Sequence, residues 1–95
     1  MKKDILISEI CKIVSDGKWW LPASIDNCSH WTIGITDDLD RQNQEHEMNG
    51  KNVTCWYDWP ADTVRIARAV EKYFTDRRMN GDTGGGQNPT YVYIF

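Results

Sequence analysis

The chain lacks a basic excess, a long apolar run and a paired set of cysteines. Its 14 acidic residues outnumber its 11 basic ones, which gives a formal net charge of −3. Bulk nucleic-acid binding usually accompanies a basic balance, so the total charge argues mildly against it, although local charge can override the total. No segment approaches the roughly 20 consecutive apolar residues that span a bilayer, so we expect no membrane partner.

Cysteine usage indicates the compartment. The three cysteines, Cys11, Cys28 and Cys55, form neither a CxxC pair nor a metal-ligand spacing. An odd, scattered set is typical of reduced thiols in a cytosolic protein. A signal peptide needs an uninterrupted apolar core near the N-terminus. Here Asp4 and Glu9 break the apolar stretch at that end. We therefore expect a cytoplasmic protein.

The residues that are present suffice for one packed domain over 1–95. Hydrophobic residues make up 40% of the 95 residues and aromatic residues 12%, including five tryptophans, so a core can form and disorder is not expected. Apolar periodicity, β-branched runs and turn residues divide the chain into alternating helices and strands. The predicted elements are a helix over 3–16, a strand over 30–36, a helix from Asp37 or Asp38 to about Met48, a strand over 52–57, a helix that opens at Asp58-Trp59-Pro60 and ends near Arg77-Arg78, a turn or loop over 80–86, and a strand over 90–95.

This order predicts an α+β fold. A sheet with polar and apolar sides needs helices over at least one face. We expect a small three-stranded antiparallel sheet flanked by three helices, in the order α-β-α-β-α-β.

The segment from Thr32 to His46 resembles the centre of the GIY-YIG nuclease domain. In that family a strand ending Tyr-x-Gly leads through an acidic-apolar link to a helix that carries an arginine pair and, four residues later, a histidine. Thr32-Ile33-Gly34, Asp38-Leu39 and His46 align with this pattern without a gap. Glu71 takes the place of the family's metal-binding glutamate on the helix after the next strand. The resemblance covers residues 31–78, about half of the chain.

The chain departs from the family pattern at three points. Thr32 stands at the second tyrosine of the family's name, and Gln42 stands at the catalytic arginine, with Arg41 beside it. The family's first strand is missing from the N-terminus, where a helix is predicted instead. The terminal strand, with Tyr91 and Tyr93, has the character to replace it, which suggests a circular permutation of the family fold.

The resemblance implies phosphodiester hydrolysis on nucleic acid with one divalent cation, Mg²⁺ or Mn²⁺. Fixed positive charge stabilises the developing phosphate charge, and a cation activates water. Glu71 would hold the cation, Arg41 would bind phosphate, and Tyr93 or His46 would handle the proton. Arg41 lies about 100° of helix from Gln42, and losing one preorganised group costs roughly 100- to 1000-fold in rate. The candidate catalytic residues are Thr32, Arg41, His46, Tyr91 and Tyr93, and the candidate metal ligand is Glu71.

Other residues permit both a functional and a structural interpretation. Three basic residues share one face of the third helix and could contact phosphates, although an ordinary solvated helix face is the commoner explanation. His46 could cap the end of its helix, and Glu71 could be a surface acid. The three basic residues are Arg65, Arg68 and Lys72.

Two further function classes remain open. A non-catalytic inhibitor or adaptor on the same scaffold would bind a protein partner, with exposed tryptophans as anchors. A small-ligand or nucleotide binder would use Gly84-Gly85-Gly86, whose backbone N–H groups could cradle a phosphate. That run lacks the lysine of a P-loop, so a flexible connection is the simpler interpretation. The candidate anchors are Trp19, Trp20, Trp56 and Trp59.

Overall fold

Three α-helices and four short strands make up the described part of the chain, which comprises residues 1–16, 28–82 and 88–95 of a computed structural model. This confirms the α+β class. Predictions that concern Trp19, Trp20 and Gly84–Gly86 fall outside the described residues. The elements are α1 (Lys3–Asp16), a 3₁₀ turn (Cys28–His30), β1 (Thr32–Thr36), α2 (Leu39–Met48), β2 (Tyr57–Pro60), α3 (Val64–Thr75), β3 (Asn80–Gly81) and β4 (Tyr91–Ile94).

The prediction of three antiparallel strands is wrong, because the sheet has four strands and is mixed. The strand order is β2-β4-β1-β3. β4 pairs antiparallel with both β1 and β2, whereas β3 pairs parallel with β1. β3 forms because the chain, on leaving α3, runs along the edge of β1. There Asn80 N–H donates to Trp31 O at 3.0 Å and Asp82 N–H donates to Ile33 O at 2.9 Å.

The predicted strand over 52–57 is also wrong, since β2 begins only at Tyr57. The Asn52 side chain accepts hydrogen bonds from the backbone N–H of Thr54 at 3.1 Å and from its hydroxyl at 2.7 Å. Such a local side-chain bond favours a turn over an extended ladder. The segment 52–56 is therefore a turn that leads into the strand.

The third helix starts later than the sequence suggests. Asp58-Trp59-Pro60 does not open it but completes β2, which is an edge strand and therefore tolerates a proline. The N-cap is Thr63, whose hydroxyl accepts from Ile66 N–H at 3.1 Å. The helix ends at Thr75, and Arg78 takes a positive φ of 76° just beyond it. The first two helices match their predicted bounds, with Asp38 as the N-cap of α2.

One face of the sheet packs against α1 and α3 to form the hydrophobic core. Side chains alternate between faces along a strand, so the even-numbered residues of β1 and the odd-numbered residues of β4 point to the opposite face. α3 buries the stripe Ala67, Val70 and Phe74. Among the described residues no helix combines the length and the apolar character needed to cross a membrane. The core comprises Leu6, Ile10, Val14, Trp31, Ile33, Ile35, Ala61, Ala67, Val70, Phe74, Met79, Val92 and Ile94.

Candidate active site

A tyrosine on β4 lies across a glycine on β1 at the centre of the second face. The antiparallel register pairs Tyr93 with Gly34. A Cβ atom added at Gly34 would stand 2.3 Å from the Tyr93 hydroxyl oxygen and 2.4 Å from its Cζ. No side chain fits there, so glycine is required for the phenol to cross β1 towards β3.

The hydroxyl of Tyr93 meets polar groups from two other elements. It donates to the carboxylate of Asp82, which follows β3, and it lies 3.4 Å from Oε1 of Gln42 on α2. Nε2 of His46, one turn further along α2, is 3.3 Å from the same hydroxyl and 2.8 Å from Oδ2 of Asp82. An ionised carboxylate can only accept hydrogen bonds. When Asp82 is ionised, therefore, Nε2 of His46 carries a proton and donates it to Asp82.

An aromatic wall holds this cluster from the side of β2. Trp56 stacks on Tyr93 with ring centroids 4.6 Å apart, and on Phe95 at 5.5 Å. The Trp56 indole N–H donates to Oδ2 of Asp58 at 2.9 Å, which fixes the plane of the ring. The His46 ring lies 4.5 Å from Phe95. The stacked rings exclude water from the rear of the cluster and limit the orientations of the imidazole.

The side chains of the cluster differ in how much of their surface is accessible to solvent. Tyr93 is fully buried, with 0% of its surface accessible. The side chains of His46 and Asp82 keep 12% and 21% of their surface accessible. Burial, the hydrogen bond to Asp82 and the charges of Asp82, Glu71 and Glu45 all raise the pKa of Tyr93 above its ordinary value. The phenol is therefore protonated at neutral pH, and solvent reaches the cluster through the histidine and the aspartate.

Glu71 lies on α3, and its charge acts on the pKa of Tyr93. Burial raises the pKa of its carboxyl, and the charge of Asp82 raises it further, while Arg68 lowers it. Its Oε2 atom is buried and has no hydrogen-bond partner within the described ranges. A buried carboxylate oxygen without a partner is costly. Protonation, which the raised pKa favours, or a bound cation would each remove this cost.

Three of the predicted catalytic residues lie away from the Tyr93 hydroxyl. Arg41 is exposed and bound by acids on either side, with Nη2 3.1 Å from Asp37 and Nε 3.9 Å from Glu45. Thr32 begins β1 and exchanges backbone hydrogen bonds with Phe95. Tyr91 is exposed at the far end of β4, where it lines an open hollow of about 290 Å³ with residues 37–40. The face shared by Tyr91 and Tyr93 thus carries one phenol into the cluster and leaves the other at its rim.

The basic face of α3 is open to solvent. Arg65, Arg68 and Lys72 are all exposed. Nζ of Lys72 lies 3.1 Å from a carboxylate oxygen of Asp76, one turn away. The charge of Arg68, one turn from Glu71 on the same helix, lowers the pKa of the Glu71 carboxyl.

Asp82 and Trp56 are members of the site that the sequence analysis missed. Asp82 follows Asn80-Gly81, a pair typical of a turn, and nothing in the sequence spacing links it to residues 46 or 93. Trp56 was treated as an exposed anchor, but it packs on the site instead. Gln42 is only 4% exposed, and its Oε1 lies 3.4 Å from the Tyr93 hydroxyl.

The metal-ligating groups are sparse in the described segments. No set of three or more His, Cys, Asp or Glu side chains within residues 1–16, 28–82 and 88–95 is arranged to hold a metal ion. Glu71 therefore remains a single candidate ligand, and hard divalent cations such as Mg²⁺ commonly use one or two carboxylates together with water and substrate phosphates. Comparison of the chain with protein-family models, curated proteins and solved structures found no match.

Proposed function

We propose that this chain is a divalent-metal-dependent phosphodiester hydrolase that acts on nucleic acid, with a GIY-YIG-like arrangement of its strands. The main support is the position of Tyr93, a residue of the last strand, which lies across Gly34 with its hydroxyl 3.3 Å from Nε2 of His46. β4 lies next to β1 in the sheet, as a circular permutation of the family fold requires. Glu71 beside the same cluster supplies the carboxylate for a cation.

The residues divide into groups with different tasks. Glu71 would hold the cation, which would supply Lewis-acid polarisation of the phosphate and a more acidic bound water. Arg68 and Arg65, exposed on the adjoining helix face, bind neighbouring phosphates of the strand. His46, whose Nε2 lies 2.8 Å from Oδ2 of Asp82 and whose ring is partly exposed, orients that carboxylate beside the reacting phosphate. Tyr93 and Trp56 hold these groups from behind and keep water out.

The missing arginine sets an expectation for the rate. Gln42 is neutral and buried, and Arg41 is engaged by Asp37 and Glu45. Loss of one preorganised charge or donor lowers the rate by roughly 100- to 1000-fold. We therefore expect slow turnover, and assays should run for hours at high enzyme concentration.

A cleavage assay on duplex, branched and single-stranded DNA and on RNA, with Mg²⁺ or Mn²⁺, tests the proposal. Glu71→Gln keeps the shape of the side chain and removes its charge, and cleavage should disappear. Glu47→Gln is the matched control, because Glu47 is an exposed glutamate on α2, and it should cleave at the wild-type rate. Cleavage that persists unchanged in Glu71→Gln, or no cleavage by the wild type on any substrate, would refute the proposal.

A second candidate is a non-catalytic protein that binds a protein partner through the same scaffold. The buried, uncharged Gln42 and the paired Arg41 favour it, because they leave the arginine position without a cation. Trp56 and Trp59 are partly buried against the site and the core, so only part of each ring is open to a partner. If wild type and Gln42→Arg both leave every substrate intact, this candidate replaces hydrolysis.

A further inference from the structure

Both rings that stack on Trp56 lie on the same face of its indole. The Trp56 centroid is 4.6 Å from that of Tyr93 and 5.5 Å from that of Phe95, with the ring planes within 10° of parallel. Rings on opposite faces of one indole would stand about 7 Å apart or more, because each contact needs about 3.5 Å. The Tyr93 and Phe95 centroids are only 6.2 Å apart, so the two rings cover one face together. The other face of the indole is free of both rings, and Trp56 remains partly exposed.

A hollow of about 230 Å³ lies between α2 and the start of β2, and Trp56 forms one of its walls. The lining combines an aromatic ring, one apolar side chain, two amides and two carboxylates: Leu39, Asp40, Asn43, Gln44, Trp56 and Asp58. Residues 39, 40, 43 and 44 lie on one side of α2, next to the side that carries Gln42 and His46. The hollow and the Tyr93 cluster are therefore neighbours that share α2 and the Trp56 ring.

The polar groups of the hollow favour N–H donors over a phosphate. Oδ2 of Asp58 accepts the Trp56 indole N–H at 2.9 Å, which fixes the carboxylate relative to the ring and leaves its second oxygen open. The Asp40 side chain is exposed and has no hydrogen-bond or ion-pair partner in the part of the chain that the structure describes. No Lys, Arg or His side chain of that part lines the hollow. Two carboxylates without a cation repel a phosphate, but they accept hydrogen bonds from N–H groups.

We propose that this hollow is a subsite for an unpaired guanine base beside the cleaved bond, and this inference rests on the proposed hydrolysis of nucleic acid. The base stacks on the open face of Trp56, as unpaired bases do on aromatic side chains. Its neighbouring N1–H and N2–H groups donate to the carboxylates of Asp58 and Asp40. Its O6 atom accepts from the amide of Asn43 or Gln44.

The donors on the ligand set the base preference. Guanine presents two adjacent N–H donors on its Watson–Crick edge, whereas uracil and thymine present one N–H between two carbonyl oxygens, which a carboxylate repels. A guanine within a duplex uses this edge for pairing, so only an unstacked and unpaired guanine reaches the hollow. The substrate class is therefore a nucleic acid with a guanine in a single strand, loop or bulge.

Titration with nucleosides tests the subsite without phosphate, metal or cleavage. The chain has five tryptophans, so a Trp56→Phe variant assigns the Trp56 indole N–H signal in the ¹H–¹⁵N spectrum. We expect guanosine to shift this signal and to bind at least about fivefold more tightly than uridine. Equal affinities, or no shift at the solubility limit of guanosine, would overturn the subsite. Tighter binding of arginine amide than of guanosine would also overturn it, because the hollow would then be a guanidinium site.

Two carboxylate variants test the hydrogen bonds that select the base. Asp58→Asn keeps an oxygen for the indole N–H but presents an NH₂ donor to the ligand, and Asp40→Asn changes an exposed side chain that the fold does not need. Each should reduce the preference for guanosine over uridine to below about twofold. Asp16→Asn removes the same charge from an exposed position on α1 and should keep the wild-type preference. A preference that survives in both hollow variants contradicts the inference.

Cleavage by the wild type distinguishes this inference from the proposed function. Two single-stranded thymine oligonucleotides serve as substrates, one of them with a single central guanine. Cleavage at least about fivefold faster beside the guanine supports both proposals. Cleavage without a base preference overturns the subsite and leaves hydrolysis standing. Guanosine binding without cleavage of any substrate refutes the hydrolysis and leaves the guanine site standing.

Discussion

Replacing Gly34 with alanine should displace the Tyr93 ring and destabilise the fold. The added Cβ would stand 2.3 Å from the hydroxyl oxygen and 2.4 Å from Cζ, far inside van der Waals contact. The ring cannot retreat easily, because Trp56 stacks on its side with centroids 4.6 Å apart. Overpacking of this kind costs about 1–3 kcal/mol. If the ring moves, its hydrogen bond to the Asp82 carboxylate is lost, at about 1.5–3 kcal/mol.

The expected total is therefore about 2.5–6 kcal/mol. A domain of 95 residues has a free energy of unfolding of about 5–14 kcal/mol, so the variant would be marginal. Urea unfolding followed by tryptophan fluorescence measures the loss. Gly50→Ala is the control: Gly50 has a φ of 79° and no atom within 4 Å of its added Cβ. It should cost about 1–2 kcal/mol from backbone strain alone.

A double-mutant cycle isolates the clash. In a Tyr93→Leu background the phenol is absent, and Gly34→Ala should then be neutral or stabilise the strand by about 0.5–1 kcal/mol. The coupling energy between the two positions should exceed about 2 kcal/mol, whereas Gly50→Ala should couple to Tyr93→Leu by less than about 0.5 kcal/mol. An equal cost of Gly34→Ala in both backgrounds would refute the placement of the ring.

The remaining predictions concern charge. Folding raises the pKa of the Glu71 carboxyl, so the folded state binds this proton more tightly than the unfolded state does. The stability that protonated Glu71 contributes is therefore fully present below the unfolded pKa. It is lost as the pH rises through the folded pKa. Glu71→Gln should therefore raise the urea midpoint at pH 7 and leave it unchanged at pH 3, with Glu47→Gln unchanged at both; a lower midpoint at pH 7 would contradict this. Mg²⁺ or Mn²⁺ should raise the melting temperature of the wild type but not of Glu71→Gln. Arg65→Gln and Arg68→Gln should each reduce the slope of log K against log salt for nucleic-acid binding by about 1, as measured by fluorescence anisotropy. The control is Arg77→Gln, because the guanidinium of Arg77 lies over the Tyr73 ring.

Regular spacing and a cap made α1 and α2 predictable. A local turn hid the start of β2, and the end of β2 was mistaken for the start of α3. α1 begins and ends where its apolar spacing indicates, and the Asp38 cap starts α2. The segment 52–57 has the composition of a strand, but the Asn52 side chain turns the backbone there. An aspartate followed by a proline is typical of the first turn of a helix, but Pro60 lies in the edge strand β2 instead. Whether a strand is at the edge depends on the strand order, which the local sequence does not reveal.

The site was predictable where one element holds two of its residues, and not where the sheet brings distant segments together. Gln42 and His46 share a face of α2 because they are four residues apart. The approach of Asp82 to Tyr93 depends on the parallel pairing of β3 with β1, which joins only two residue pairs. Pairing this short leaves no alternation in the sequence, so its carboxylate could not be foreseen.

The charge of the site requires a cation before it can bind a phosphate. Glu71, Asp82 and Glu45 all act on the Tyr93 hydroxyl, and Gln42 beside that hydroxyl is neutral. A phosphodiester carries a negative charge, so it would be repelled at short range by these carboxylates, and Arg68 alone does not balance them. A divalent cation at Glu71 would reverse the sign of the local field and would supply a partner for the carboxyl oxygen that has none within the described residues. Nucleic-acid affinity at this site should therefore depend on Mg²⁺ or Mn²⁺, whereas a chain that binds nucleic acid equally well in EDTA must do so through the basic face of α3.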